Sequence, residues 1–309
     1  LQRAAECFER CLELRPRYAL LSYNLACARA LGGELESAFE WLARAVEWGF
    51  GSRADRVRTA ETDADLAALR SDARWAPLLA SARESEAATR AFAEQPDVYV
   101  PTTAGARPLR LLVLLHDRDS TPSRVLDASW RARADEFGFA IVAPCASLAA
   151  AAAPESGMHW LIEPSDLQRR PDLFETRVAV AVRTFSSAHP IDRSRVWIAG
   201  VGEGALVAFD LATRAPGLFR GVLVLDGPIH PETPLERARR AASMGLEVRV
   251  VLGAASERWR PRGAPAEFES GLAAFFAHCG FADRASVEVA PDAEAFEAAA
   301  ARAIGELAR

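Results

Sequence analysis

The apolar positions of this chain follow two rhythms, and they change over near residue 95. From residue 1 to about 92 they recur at three- and four-residue spacing, the signature of helices that bury one stripe. Beyond Pro96 the pattern turns to short runs: an alternating Val98-Tyr99-Val100-Pro101, then 111–115, 140–144, 196–200, 221–225, 247–252 and 286–290. The stretches between them have helix length, about 124–137, 171–186, 203–215, 234–244, 265–279 and 292–308. Apolar runs alternating with helical stretches predict a mostly parallel sheet flanked by crossover helices, with 98–101 as an edge strand. Residues 81–95 read as a charged helix or linker, and 146–171, with an alanine run and Pro154, Pro164 and Pro171, as a loop or lid. The division predicts two domains, an all-α one over 1–92 and an α/β one over 97–309.

The helical part repeats itself. Ala4, Phe8 and Cys11 followed by Pro16 match Ala38, Leu42 and Ala45 followed by Phe50, an offset of 38 − 4 = 34 at each pair. That period, with Leu25, Ala26 and a turn at Gly33 where the second helix is expected, resembles the tetratricopeptide repeat. Residues 63–79 then read as two short capping helices. The resemblance implies a concave surface that docks a protein partner through residues 1–92. The chain begins inside a helix pattern, so further repeats upstream are expected.

The α/β part carries its main signal at 196–206, Val-Trp-Ile-Ala-Gly-Val-Gly-Glu-Gly-Ala-Leu: an apolar strand, a glycine-rich turn and a helix start. This resembles the G-x-S-x-G nucleophile elbow. Together with the strand 112–115 ending in His116-Asp117, the strand 139–144, Ile191–Val196 before the turn and Leu218–Val222 after it, residues 97–309 resemble an α/β-hydrolase of the polyhydroxybutyrate depolymerase and carboxylesterase type. The resemblance implies a serine, an acid and a histidine, in that chain order. Here Gly200 and Gly204 frame Gly202 at the serine position, Ser256 stands at the acid position with Glu257 one residue on, and 287–309 hold no histidine, Asp292 lying near its expected place. It also implies an oxyanion site at Asp117-Arg118 and Glu203. Two carboxylates there oppose a developing oxyanion by about 1 kcal/mol each in water and about 4 at an effective dielectric of 20, with Arg118 placed to offset one.

Losing a triad serine or histidine costs on the order of 10⁶ in turnover, and further losses within the unit add little. The resemblance therefore predicts a non-catalytic hydrolase-like module joined to protein-binding repeats, a scaffold or ligand sensor with a small-molecule pocket where a substrate would sit. Candidate ligand residues are His116, Asp117, Arg118, Glu203, Asp226 and His230, the last two forming an acid–histidine pair beside the elbow. Two alternatives stand beside this reading. One is a serine-esterase-type hydrolase with a relocated site. The other is a dinucleotide-binding domain, since Gly200-x-Gly202-x-x-Ala205 opens a helix and Asp226 follows the next strand.

Composition changes the picture little. The net charge of −5 argues against a nucleic-acid partner, and no lysine is available for Schiff-base chemistry, all 37 basic residues being arginine. Cys7, Cys11, Cys27, Cys145 and Cys279 are scattered, mostly on helices as small hydrophobes. No metal-ligand spacing appears and no cofactor is implied. The cysteine usage, the absence of a visible signal peptide and the lack of a bilayer-length apolar run predict a cytoplasmic protein away from membranes.

Overall fold

Small residues set the packing of the helical region. Helices α1 (Gln2–Leu14), α2 (Ala19–Leu31) and α3 (Leu35–Glu47) are followed by α4 (Arg56–Thr62), a 3-10 segment Ala64–Leu69 and α5 (Trp75–Ala93). Ala26 and Ala38 are fully buried and let α2 and α3 approach closely. Gly33 turns between them with φ +78°, where a side chain is disfavoured. Leu42, Ala45, Phe50, Leu66 and Leu69 complete the core, with Tyr23 stacked on Phe50 at 4.3 Å between ring centroids. The expected 34-residue correspondence is uneven in burial: Ala38, Leu42 and Ala45 are buried, whereas Ala4 and Cys11 are exposed. Helix α1 packs on α2 through Ala5 and Leu12 instead. Nor do 72–79 and 81–95 separate into a short cap and a linker. Ala82, Ser85, Thr89 and Ala93 continue the buried stripe begun by Trp75 and Leu79, so one helix of 19 residues forms. Small and hydroxyl side chains disguise that stripe in the sequence.

The structure is a computed structural model that describes residues 1–53, 55–102, 107–161, 166–227, 229, 233–254 and 265–307. They fall into two units, Leu1–Glu94 with Ser147–His159, and Gln95–Ala146 with Trp160–Arg309. The first unit thus takes in part of the segment expected to be a loop or lid of the second domain. There Leu148–Ala149 pairs with Met158–His159 as a small hairpin. The Ser85 hydroxyl donates to the Ala152 carbonyl at 3.0 Å, and a Cβ on Gly49 would sit 2.8 Å from the carbonyl carbon of Ala151. All five cysteines are free. Cys27, Cys145 and Cys279 are buried, but Cys7 and Cys11 are exposed one turn apart on α1, which corrects the expectation that helical cysteines act as core residues.

The second unit is a seven-stranded sheet with β1 (Asp97–Tyr99), β2 (Leu109–Leu115), β3 (Phe139–Ala143), β4 (Ile191–Val201), β5 (Gly221–Leu225), β6 (Glu247–Gly253) and β7 (Ala285–Ala290). The order is β1-β3-β2-β4-β5-β6-β7, with β1 antiparallel at the edge and every other pair parallel. The central strands are buried on both faces, which is why they read as unbroken apolar runs. Flanking helices are α6 (Ala128–Phe137), α7 (Asp172–Ala188), α8 (Glu203–Arg214), α9 (Leu235–Ser243), α10 (Pro265–His278) and α11 (Ala293–Glu306). The helix expected over 124–137 breaks at Asp127, whose carboxylate accepts from the Ser129 and Trp130 N–H groups and starts α6 afresh. One face of the sheet packs Leu112, Leu114, Ile141, Trp197 and Leu223 against Trp130 of α6 and Ala299, Ala303 and Ile304 of α11. Among the described residues no helix is long and apolar enough to cross a membrane.

Candidate functional site

The turn from β4 into α8 lies at the middle of the sheet, at the carboxyl ends of its strands, where open α/β folds place their ligands. Its glycines are required by packing. A Cβ on Gly200 would overlap the Gly204 backbone, and one on Gly204 would lie 2.6 Å from the Leu115 carbonyl oxygen of β2. Gly202 sits at φ +56°, ψ −116°, a region essentially closed to side chains except under strain. The backbone is therefore an elbow in shape, anchored by the Gly202 N–H to the Leu225 carbonyl at 3.0 Å.

Where an elbow would project a hydroxyl, this chain puts a carboxylate from elsewhere. A Cβ built on Gly202 would overlap the Asp117 carboxylate. Asp117 Oδ1 accepts from the Glu203 N–H at 2.8 Å, capping α8 from the loop after β2. Glu203 itself turns into the protein with 8 % of its side chain exposed. It pairs with Arg118, and its Oε2 accepts from the Trp160 N–H at 2.8 Å. Burial pushes the Glu203 carboxyl up, while the Arg118 charge and the backbone donors pull it back. Arg118 also donates to the Leu161 carbonyl at 2.9 Å. The structure thus brings together Gly200, Gly202, Gly204, Asp117, Arg118 and Glu203.

His116 is part of the same cluster, but as a fixed neutral ring. It is fully buried. Nε2 accepts from the Ala146 N–H at 3.1 Å, so the ring proton is on Nδ1, which donates to the Asp117 carbonyl at 2.8 Å. Trp160 lies against the ring at 5.0 Å and its Nε1–H donates to the His116 carbonyl at 2.8 Å. Burial lowers the imidazole pKa to about 4. With both nitrogens bonded, His116 has no lone pair to offer as a base.

Three further positions hold hydrogen bonds within the fold. Asp292 caps α11, its carboxylate accepting from the Ala295 N–H at 2.8 Å. Asp226, at φ +47°, ties β5 to β6 through a bond from the Gly253 N–H at 3.3 Å. His278 bonds Arg239 on the exposed side of α10. His230, Ser256 and Glu257 lie outside the described residues. The sequence reading missed how Asp117 is aimed; its only signal was a carboxylate directly after the strand, facing a glycine-rich turn.

A cavity of about 440 Å³ opens beside the elbow. Val201, Leu225, Trp130 and Phe296 supply apolar wall, and Asp117 and Arg124 polar rim. In the first unit Cys27, Asp63 and Asp65 bring ligand-type atoms within 4.8 Å of one another. Their groups are engaged: Asp63 Oδ2 accepts from the Tyr23 hydroxyl at 2.6 Å and from the Cys27 thiol, and Oδ1 from the Asp65 N–H at 3.0 Å. Burial pushes the Cys27 thiol up to about 12, and Asp63 caps the 3-10 segment through the Asp65 N–H.

No protein-family model matches the chain. No curated protein matches its sequence. Solved structures do resemble it. Esterase PE8 aligns over 68 % of this chain and 97 % of its own at 14 % identity and a TM-score of 0.51. S-formylglutathione hydrolase (FrmB) from Staphylococcus aureus aligns over 69 % and 90 % at 13 % identity and a TM-score of 0.50. A dienelactone hydrolase-like promiscuous phosphotriesterase from metagenomic libraries aligns over 69 % and 92 % at 16 % identity and a TM-score of 0.50. The second unit has an α/β-hydrolase-like fold. At these identities the likeness concerns the fold alone.

Proposed function

We propose that the second unit is an α/β-hydrolase-like module that carries out no acyl transfer at its elbow, and that it serves as a structural or small-molecule-binding part beside a helical unit that docks a protein partner. One observation carries the reading: the Asp117 carboxylate holds the Glu203 N–H and takes the space of a nucleophile's Cβ. An acyl substrate would need that N–H for its oxyanion. To reach it, the substrate must displace a tethered carboxylate whose effective concentration is about millimolar or higher. Any oxyanion formed there would face a fixed negative charge worth about 4 kcal/mol at 4 Å and an effective dielectric of 20. The cavity beside the elbow is large enough for a small amphipathic molecule. The 34-residue spacing read from the sequence and the packed pair α2 and α3 support the docking role of the first unit.

A second reading, a serine-esterase-type hydrolase whose site lies elsewhere, is favoured by the likeness of the fold to hydrolases and esterases. Purified protein separates the two. On the first reading a fluorophosphonate probe leaves it unlabelled, and p-nitrophenyl acetate and butyrate are cleaved no faster than by heat-denatured chain. Stoichiometric labelling of one serine, lost when that serine is replaced, establishes the second. A dinucleotide site at the start of α8 would meet Asp117 and Glu203 where phosphate should bind. NAD and NADP are accordingly expected to leave the melting temperature unchanged, where a ligand at ~100 times its Kd would add about 2.7 kcal/mol.

A further inference from the structure

The cavity beside the elbow lies wholly within the second unit, among the loop after β2, the start of α6, the tips of β4 and β5, and α11. Val201, Leu225, Trp130 and Phe296 form its apolar wall, and its volume of about 440 Å³ suits a molecule with one ring or a short branched chain. The charges around that wall decide what such a molecule can carry. Arg118, Arg124 and Arg133 line the cavity. Two of them are matched: Arg118 pairs with Glu203, and Arg133 with Glu297 at 3.0 Å. Arg124 donates to the Asp119 carbonyl at 3.2 Å, and Asp119 brings a carboxylate to the same wall against its charge. Among the described residues this leaves Asp117 and Asp127 as the excess. Both carboxylates are held in place. Asp117 Oδ1 accepts from the Glu203 N–H at 2.8 Å, and Asp127 Oδ1 from the Ser129 and Trp130 N–H groups at 2.9 and 3.1 Å. Each caps a helix start worth about half a positive charge, so each leaves about half a negative charge uncompensated.

We propose that this cavity takes a small organic cation, an amine or quaternary ammonium on an apolar body, with Asp117 and Asp127 as its counter-charges. The proposal deepens the small-molecule-binding reading of the second unit and rests on it. A working hydrolase elbow is arranged to favour an anion. Here Asp117 reverses the sign at that place, and the field that opposes an oxyanion attracts a cation. The setting strengthens the effect: Leu225 and Trp130 are buried, and low-dielectric walls concentrate the field of the carboxylates beside them. An anion of the same shape meets the same two carboxylates, while Arg118 and Arg133, which would answer it, are held by Glu203 and Glu297. The apolar wall supplies affinity for the body, and the fixed charges select its sign.

Three probes with one body and different charge test this by titration calorimetry on the full chain at neutral pH and low salt: phenethylamine, phenethyl alcohol and hydrocinnamate. The amine is expected to bind about tenfold tighter than the alcohol, and the carboxylate more weakly than either. Asp117→Asn keeps an oxygen for the Glu203 N–H and removes the charge, so amine binding should weaken about tenfold while the alcohol is unaffected. Asp127→Asn should weaken the amine about threefold, and it decides the matter if Asp117→Asn does not fold. Phe296→Ala removes wall, not charge, and should weaken amine and alcohol alike. Equal affinity for amine and alcohol, tighter binding of the carboxylate, or no amine binding up to ~10 mM overturns the proposal. So does an amine affinity that neither Asn variant changes, or that Phe296→Ala leaves as in the wild type. Failure of the underlying reading shows elsewhere, as fluorophosphonate labelling of one serine, whichever probe binds.

Discussion

Two turns of the second unit, the one after β4 and the one after β7, stand where a hydrolase of this fold would keep its nucleophile and its histidine, and they differ instructively. After β4 the chain turns sharply into α8 at Gly202, with φ +56° and ψ −116°. After β7 the described chain moves from strand to helix through an ordinary cap, Asp292 on Ala295. The difference follows from packing. Gly200 and Gly204 lie against neighbouring backbone, and Gly227 against the Gly202 carbonyl. No other side chain fits there, whatever the chemistry. The cap after β7 asks only for a side chain that accepts from the first turn of α11, a role that several residue types can fill.

The largest effect that sharpens this contrast is expected at Gly200. Gly200→Ala places a methyl group into the Gly204 backbone, which cannot yield, and should lower unfolding stability by about 3 kcal/mol or more in urea titration. A loss below ~1 kcal/mol would mean that packing does not dictate the elbow. His116 comes next. Its folded pKa of about 4 lies below the unfolded value near 6.5, so protons bind the unfolded chain first. Stability contributed by the neutral ring is present above pH ~6.5 and is lost as pH falls through 4, by roughly 3 kcal/mol in all. Glu203 acts in the opposite sense: its raised pKa means that its charged form weakens the fold as pH rises, and protonation relieves this. Urea titrations of wild type and His116→Asn between pH 7 and 4 should converge as pH falls; parallel curves would place the proton elsewhere.

A smaller effect, about 2 kcal/mol, is expected for Gly202→Ser, from backbone strain and loss of the Asp117 bond. Asp117→Ala should cost less in the Gly202→Ser background than in wild type, a coupling of about 1 kcal/mol in a double-mutant cycle. Full additivity would show that serine and carboxylate do not compete for the same space. The smallest effect is Asp292→Ala, about 1 kcal/mol from a lost cap, with no change in any ligand response measured at the elbow.

What the sequence made legible follows the same division. Gly221–Leu225 reads as a strand and is one, because a central parallel strand buried on both faces is apolar throughout. The sequence shortens β4, because its first residues, Ile191 to Arg195, are largely solvated and alternate too weakly to register as a strand. The glycines announced the turn. Asp117 was legible as a nearby carboxylate, not as the occupant of the elbow, because its direction depends on the loop that follows β2. The alanine run at 149–153 carried no periodicity, so its place in the first unit, beside Gly49, could not be read from local pattern.

The two surface thiols of α1 have a practical use. Cys7 and Cys11 are exposed, while burial pushes the thiols of Cys27 and Cys145 up to about 12 and raises that of Cys279 as well. A maleimide dye applied near neutral pH should therefore mark one short stretch of the amino-terminal helix and leave the hydrolase-like unit unmodified. That gives a fluorescent reporter on the helical unit in the unaltered sequence, with no engineered cysteine required.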